Sequence, residues 1–185
     1  AREKLLAQLA DEGALSRAKR VLAPHTPDVR IAVVTSLGSA AHADVRSGVQ
    51  ARYPRFAGVR FVHAAMQGAG APDEIAAAVK ALDAAGACDV IVLARGGGSE
   101  DDLAAFDDAR VARALAACRR CVTVSAVGHE TDTHIADLVA DVRAKTPTAA
   151  AEMVVPRRAD LERELARVRE TLARAAAGAL ARARA

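Results

Sequence analysis

Asp89-Val-Ile-Val-Leu-Ala94, running directly into Arg95-Gly96-Gly97-Gly98-Ser99, is the stretch that decides the fold. An unbroken apolar run of strand length, closed by glycines, reads as a strand covered on both faces, as in a parallel sheet under helices. Three more runs have the same character: Arg30-Ile-Ala-Val-Val-Thr35, Val59-Arg-Phe-Val-His63 and Cys121-Val-Thr-Val-Ser-Ala-Val127. Helical patterns lie between them. Residues 39 to 52 stop at Tyr53-Pro54; 73 to 85 carry Ile75, Val79 and Leu82 on one face before Gly86; 107 to 118 carry Val111, Ala114, Leu115 and Cys118. Strands alternating with helices predict an α/β fold, a mostly parallel sheet flanked by helices.

Working outward, Ile135, Leu138, Val139 and Val142 form an i, i+3, i+4, i+7 stripe that predicts a helix packed on the sheet. His134, Asp137 and Asp141 fall on its other side, which is expected to be solvated. Thr146-Pro147 has the pattern of a helix N-cap and first turn, and Pro156 interrupts the Ala-rich segment that follows. Beyond it Leu161, Leu165, Val168, Leu172, Ala175 and Ala179 repeat at 4-3-4-3-4 spacing, so the C-terminal helix is read as the beginning of a coiled coil. The expected organisation is a lead-in helix and linker over 1–29, an α/β core over 30–156, and the start of a coiled-coil helix over 157–185. A seam this short, and the abrupt N-terminus, suggest a piece of something longer.

Residues 157 to 185 hold eight Arg against four acids, whereas the other 156 residues hold 18 basic and 19 acidic groups. The net +3 therefore belongs to the terminal helix and does not argue that the core binds nucleic acid. No stretch approaches a membrane span and no signal-peptide pattern opens the chain, which predicts a cytoplasmic protein with no membrane association. Cys88, Cys118 and Cys121 do not make a disulfide framework; Cys118-Arg-Arg-Cys121 has redox spacing but closes a helix instead of opening one.

Ligands of an open parallel sheet bind beyond the carboxyl ends of its strands. There the chain places Thr35-Ser36-Leu37-Gly38-Ser39 and a helix reaching Asp44, then Arg95 with Gly96, Gly97, Gly98 and Ser99, then Gly128-His129-Glu130-Thr131-Asp132. Glycines let backbone N–H groups approach an anion, and the Arg95 fork matches phosphate oxygens. His129 suits proton transfer near neutrality, and Asp132, three residues on, can orient it. Asp132, Asp137, Asp141, His129 and His134 also offer metal-ligand chemistry, but their face assignments scatter them, so no metal site is expected.

These segments resemble the large subunit of exodeoxyribonuclease VII, in order, from Ile31-Ala-Val-Val-Thr-Ser36 and Asp44 through Ala94-Arg-Gly-Gly-Gly-Ser99, Asp102-Leu103 with Phe106, and Ser125-Ala-Val-Gly-His-Glu-Thr-Asp132. The match continues through Ile135-Ala-Asp137, Val139-Ala-Asp141, Arg143-Ala144 and Thr146-Pro-Thr-Ala-Ala-Ala-Glu152. The resemblance implies removal of short oligonucleotides from either end of single-stranded DNA, by hydrolysis that does not strictly require a metal and that Mg2+ could stimulate. It implies Asp44, Arg95, His129 and Asp132 as catalytic residues. It implies Ser36, Gly96, Gly97, Gly98, Ser99, Thr146 and Thr148 as contacts to phosphate or DNA. Several copies of a small subunit would sit on the coiled coil. The chain departs from the family's pattern at Ser39, often Gly, and at Ala104, often Trp; an N-terminal OB-type domain and the full coiled coil are not in it. With only Tyr53, Phe56, Phe61 and Phe106 as aromatics, the core is expected to hold DNA weakly. Two other readings remain at this stage: a nucleotide-processing enzyme using the glycine loop, and an inert assembly scaffold.

Overall fold

A computed structural model describes residues 2–22, 26–96, 103–128 and 133–184. Its strands are β1 (Ile31–Thr35), β2 (Val59–His63), β3 (Val90–Ala94), β4 (Val122–Ala126) and β5 (Val142–Arg143). Every pairing is parallel and the order is β2-β1-β3-β4-β5. The helices are α1 (Arg2–Asp11), α2 (Ala40–Arg52), α3 (Ala71–Ala85), α4 (Ala109–Ala117), α5 (Ile135–Val139), α6 (Pro147–Val154) and α7 (Arg158–Arg184), with a 3-10 turn at Ala104–Asp107.

The continuous apolar runs hide a two-residue alternation. Ala32, Val34, Ile91 and Leu93 face a layer built from α1, α3, α4 and α5. Ile31, Val33, Val90, Val92, Ala94, Val124 and Ala126 face α2 and α6. Both faces being covered, no polar residue is needed at alternate positions, which is why the strands read as unbroken runs. Gly48 lets α2 approach α6 closely, since a Cβ there would sit 2.9 Å from that of Ala151.

Three expectations change. β2 is an edge strand and only half covered, because among the described residues no strand pairs with its outer side. The helix after β4 is a single turn and a half; Ala140 already leaves it, so Val142 belongs to a fifth strand, paired with Val124, and Leu138 is exposed. The helical face drawn through Asp141 therefore does not exist, and His134, Asp137 and Asp141 are buried instead of solvated. Asp141 accepts from Arg17 Nη1 at 2.7 Å, Arg20 Nη2 at 2.8 Å, and the Thr123 backbone N–H and hydroxyl at 2.8 and 2.9 Å. Lys19 Nζ donates to the carbonyls of Leu138 and Ala140. The lead-in segment is thus pinned to the β4–β5 corner.

Cys118 ends α4 and Cys121 precedes β4, while the close thiol pair is Cys88 and Cys121, with Sγ atoms 3.3 Å apart. Burial raises all three thiols, Cys118 to about 12, so none is a thiolate at neutral pH.

Before β2, a Cβ on Gly58 would lie 2.3 Å from the Val29 carbonyl oxygen and 2.5 Å from the Phe56 ring. The neighbouring β1 begins with Ile31 N–H donating to Gly58 C=O at 2.7 Å, so the backbone there has little room to move. Gly58→Ala is expected to cost about 1–3 kcal/mol by overpacking, read as a lower midpoint in thermal unfolding.

Candidate functional site

Strand order reverses between β1 and β3: the chain leaves β1 to build β2 on one side and crosses back to β3 on the other. The crevice beyond the carboxyl ends at such a point is where doubly wound sheets bind ligands. A cleft of ≈ 400 Å³ lies there, lined by Ser36, His63, Gln67, Arg95 and Gly96, with the first turn of α2 at its wall. Ser39 caps α2, its Oγ accepting from the His42 N–H at 3.2 Å.

Arg95 is placed by its own backbone, whose N–H donates to the Ala126 carbonyl at 3.1 Å and so continues the β3–β4 ladder by one residue. Its guanidinium donates to Gln67 Oε1 at 3.0 Å and to the Gly96 carbonyl at 2.6 Å. Two imidazoles hold the β1–α2 loop. Leu37 N–H donates to His63 Nδ1 at 3.2 Å, and Gly38 N–H donates to His42 Nδ1 at 3.1 Å. Each ring that accepts at Nδ1 carries its proton on Nε2, which makes His63 a donor in a ring that lines the cleft. His63, the last residue of β2, and Gln67 were missed in the sequence, although extending the search for Arg95 to every strand end reaches His63.

Asp44 and Thr148 lie elsewhere, in a second cleft of ≈ 270 Å³ between α2 and α6 that they share with Ser47, Gly48 and Glu152. Asp44 is exposed on α2, one turn beyond the residues that wall the first cleft. Thr146 is the N-cap of α6, its Oγ1 accepting from the Ala149 N–H at 3.0 Å. Ser36, Arg95 and Gly96 are therefore brought together; Asp44 and Thr148 form a separate pair. Gly97, Gly98, Ser99, His129 and Asp132 lie outside the described residues, whose chain reaches Gly96 after β3 and Gly128 after β4.

Near the end of β4 a buried network joins the two sides of that segment. Asp137 accepts from the Ser125 hydroxyl at 2.6 Å and from the His134 N–H at 2.9 Å, and Arg143 Nε stands 3.6 Å from it. Arg143 also donates to Thr133 Oγ1 at 3.2 Å, and Asp107 accepts from the Ile135 N–H at 2.7 Å beside His134 Nδ1 at 3.1 Å. Asp107, Asp137 and Asp141 each have their own protein donors, and among the described residues no group of three or more His, Cys, Asp and Glu side chains converges on a common point. The chemistry on offer in the first cleft is anion binding by a guanidinium, a hydroxyl and an imidazole N–H.

Comparison with known proteins gives one answer. A family model described as "Exonuclease VII, large subunit" matches residues 15–185. The exodeoxyribonuclease 7 large subunit of Sodalis glossinidius is 47% identical over 163 residues, 88% of this chain and 35% of that protein. Its counterpart in Neisseria gonorrhoeae is 47% identical over 156 residues, 84% of this chain and 34% of that protein. That of Desulforudis audaxviator is 46% identical over 173 residues, 94% and 42% respectively. The chain thus spans about a third to two fifths of the length of these relatives.

Proposed function

Because the chain belongs to the exonuclease VII large-subunit family, we propose that it is the catalytic core of a nuclease that hydrolyses the phosphodiester bonds of single-stranded DNA from either end, releasing short oligonucleotides. The observation that carries this reading is the convergence of Ser36, Arg95 and Gly96 on the switch-point cleft. A planar guanidinium there matches two phosphate oxygens at once and can hold the charge that grows on them during hydrolysis. His129 transfers a proton and Asp132 orients it; Asp44, outside the cleft but one helical turn along α2 from its wall, activates water from that side; Gly97, Gly98 and Ser99 extend the phosphate contacts, and Thr146 and Thr148 guide the strand along α6.

Proton transfer and hydrogen bonding are sufficient for this scheme, so a metal is not strictly required and Mg2+ acts as a stimulant. The partners are single-stranded DNA and several copies of the family's small subunit, seated on the exposed Leu165, Val168 and Leu172 of α7, which continues into a coiled coil; the setting is the cytoplasm. No helix among the described residues is long and apolar enough to cross a membrane.

The test is degradation of end-labelled single-stranded DNA by the chain with its small subunit, with and without EDTA. Cleavage is expected to persist in EDTA and to fall about 10²–10⁴-fold in His129→Ala. Complete loss in EDTA, or normal turnover by the variant, would remove the acid–base scheme.

A further inference from the structure

Three of the four aromatic side chains, Tyr53, Phe56 and Phe61, meet in one open groove between α2 and the edge strand β2, together with Arg46, Gln50 and Arg55. The groove has a volume of ≈ 270 Å³, and among the described residues no acidic one lines it. The Tyr53 and Phe56 rings are stacked, with centroids 5.3 Å apart and planes 29° from parallel. All three aromatics are half-buried, packed on the α2–α6 side of the core yet still open to solvent. Arg46 and Arg55 are exposed, and neither pairs with a carboxylate among the described residues.

The backbone adds an independent sign. Phe56 N–H donates to the Tyr53 carbonyl at 3.0 Å, closing a turn with Pro54 in its second position and Arg55, at φ +69°, in its third. This is the type II arrangement, whose third position favours glycine or asparagine. Arg55 is the one non-glycine residue at positive φ among those described, and its side chain lines the groove. Strained positions of this kind persist where the surrounding structure holds them, and they cluster at functional sites.

We propose that this groove is a binding subsite for single-stranded DNA, separate from the switch-point cleft, in which the open ring faces stack bases and Arg46 and Arg55 hold the adjoining phosphates. Sequence-tolerant single-strand sites combine aromatic platforms with a basic track in this way. The edge position of β2 leaves the groove open along its length, so a strand can pass without threading. Of the proposed function, the inference uses only the ligand class.

Tyr53 is the sole tyrosine and the chain has no tryptophan, so its emission reports on this groove alone. Titration with an oligothymidylate of about a dozen nucleotides is expected to quench that emission to saturation, and an abasic oligomer of equal length to leave it largely unquenched. Arg55→Gly should weaken binding about fivefold or more and flatten the log–log salt dependence by about 0.7, while its thermal midpoint stays the same or rises because the backbone strain is relieved. Equal quenching by the abasic oligomer, no quenching at all, or unchanged affinity in Arg55→Gly would overturn the subsite. Quenching that behaves as expected in a chain that degrades no DNA with its small subunit would sink the proposed function and leave this groove standing.

Discussion

Arg95→Ala is expected to lower kcat for single-strand degradation by about 10²–10³-fold, the usual loss when a donor to developing charge is removed. The reason is positional. The Arg95 backbone is fixed by the ladder bond to Ala126, which holds its side chain at the mouth of the cleft. Arg95→Lys keeps the charge but loses the two-pronged fork, and should recover only part of the activity. The side chain donates to Gln67 and the Gly96 carbonyl at the rim and is only half-buried, so the thermal midpoint is expected to change little. Steady-state kinetics beside a melting curve check both. Activity within a fewfold of the wild type would show that the switch-point cleft is not where the phosphate reacts.

Asp141→Asn is expected to lower the unfolding free energy by about 3 kcal/mol, at the low end for breaking a buried ion pair. The side chain of Asp141 is fully buried, whereas Arg17 and Arg20 keep 14% and 28% of theirs exposed and can recover some hydration once the carboxylate is gone. In a domain of this size the loss corresponds to a midpoint lower by roughly 6–12 °C. Burial by itself pushes the Asp141 carboxyl up, but hydrogen bonds from Arg17, Arg20 and Thr123 bring it well below the usual carboxylate range. A group depressed in the folded state stabilises fully above its unfolded value, about pH 4, and loses that contribution as pH falls through the lower folded value. The wild type and Asp141→Asn should therefore differ most above about pH 4 and converge below it in acid denaturation. A constant difference down to strongly acidic pH would mean that packing, and not charge, makes the contribution.

The fold gives the two acidic residues on either side of Ala140 different roles. Asp137 and Asp141 are alike in the sequence, each following Ala and each near a histidine. In the fold, one carboxylate ties Ser125 of β4 to the His134 backbone, and the other ties the lead-in arginines to Thr123. The burial of Asp141 could not be read locally, because its arginine partners stand more than 120 residues away.

The sequence by itself determined the alternation of strands and helices, the parallel sheet, the cap at Thr146, and the family. These depend on hydrophobic period, chain reversals and short motifs, all of which act over a few residues. It also pointed to Arg95 and Gly96, because a glycine run just past a buried strand leaves few other readings. Only the tertiary structure decided which strand ends meet. The β2-β1-β3 order joins His63 and Gln67 to Ser36 and Arg95 and leaves Asp44 with Thr148 across α2. It also turns the rings of Tyr53, Phe56 and Phe61, close together in the sequence, into one groove beside Arg46 and Arg55. Strand order and helix contact are settled by the burial of whole faces against one another, a sum over the chain that no local window contains.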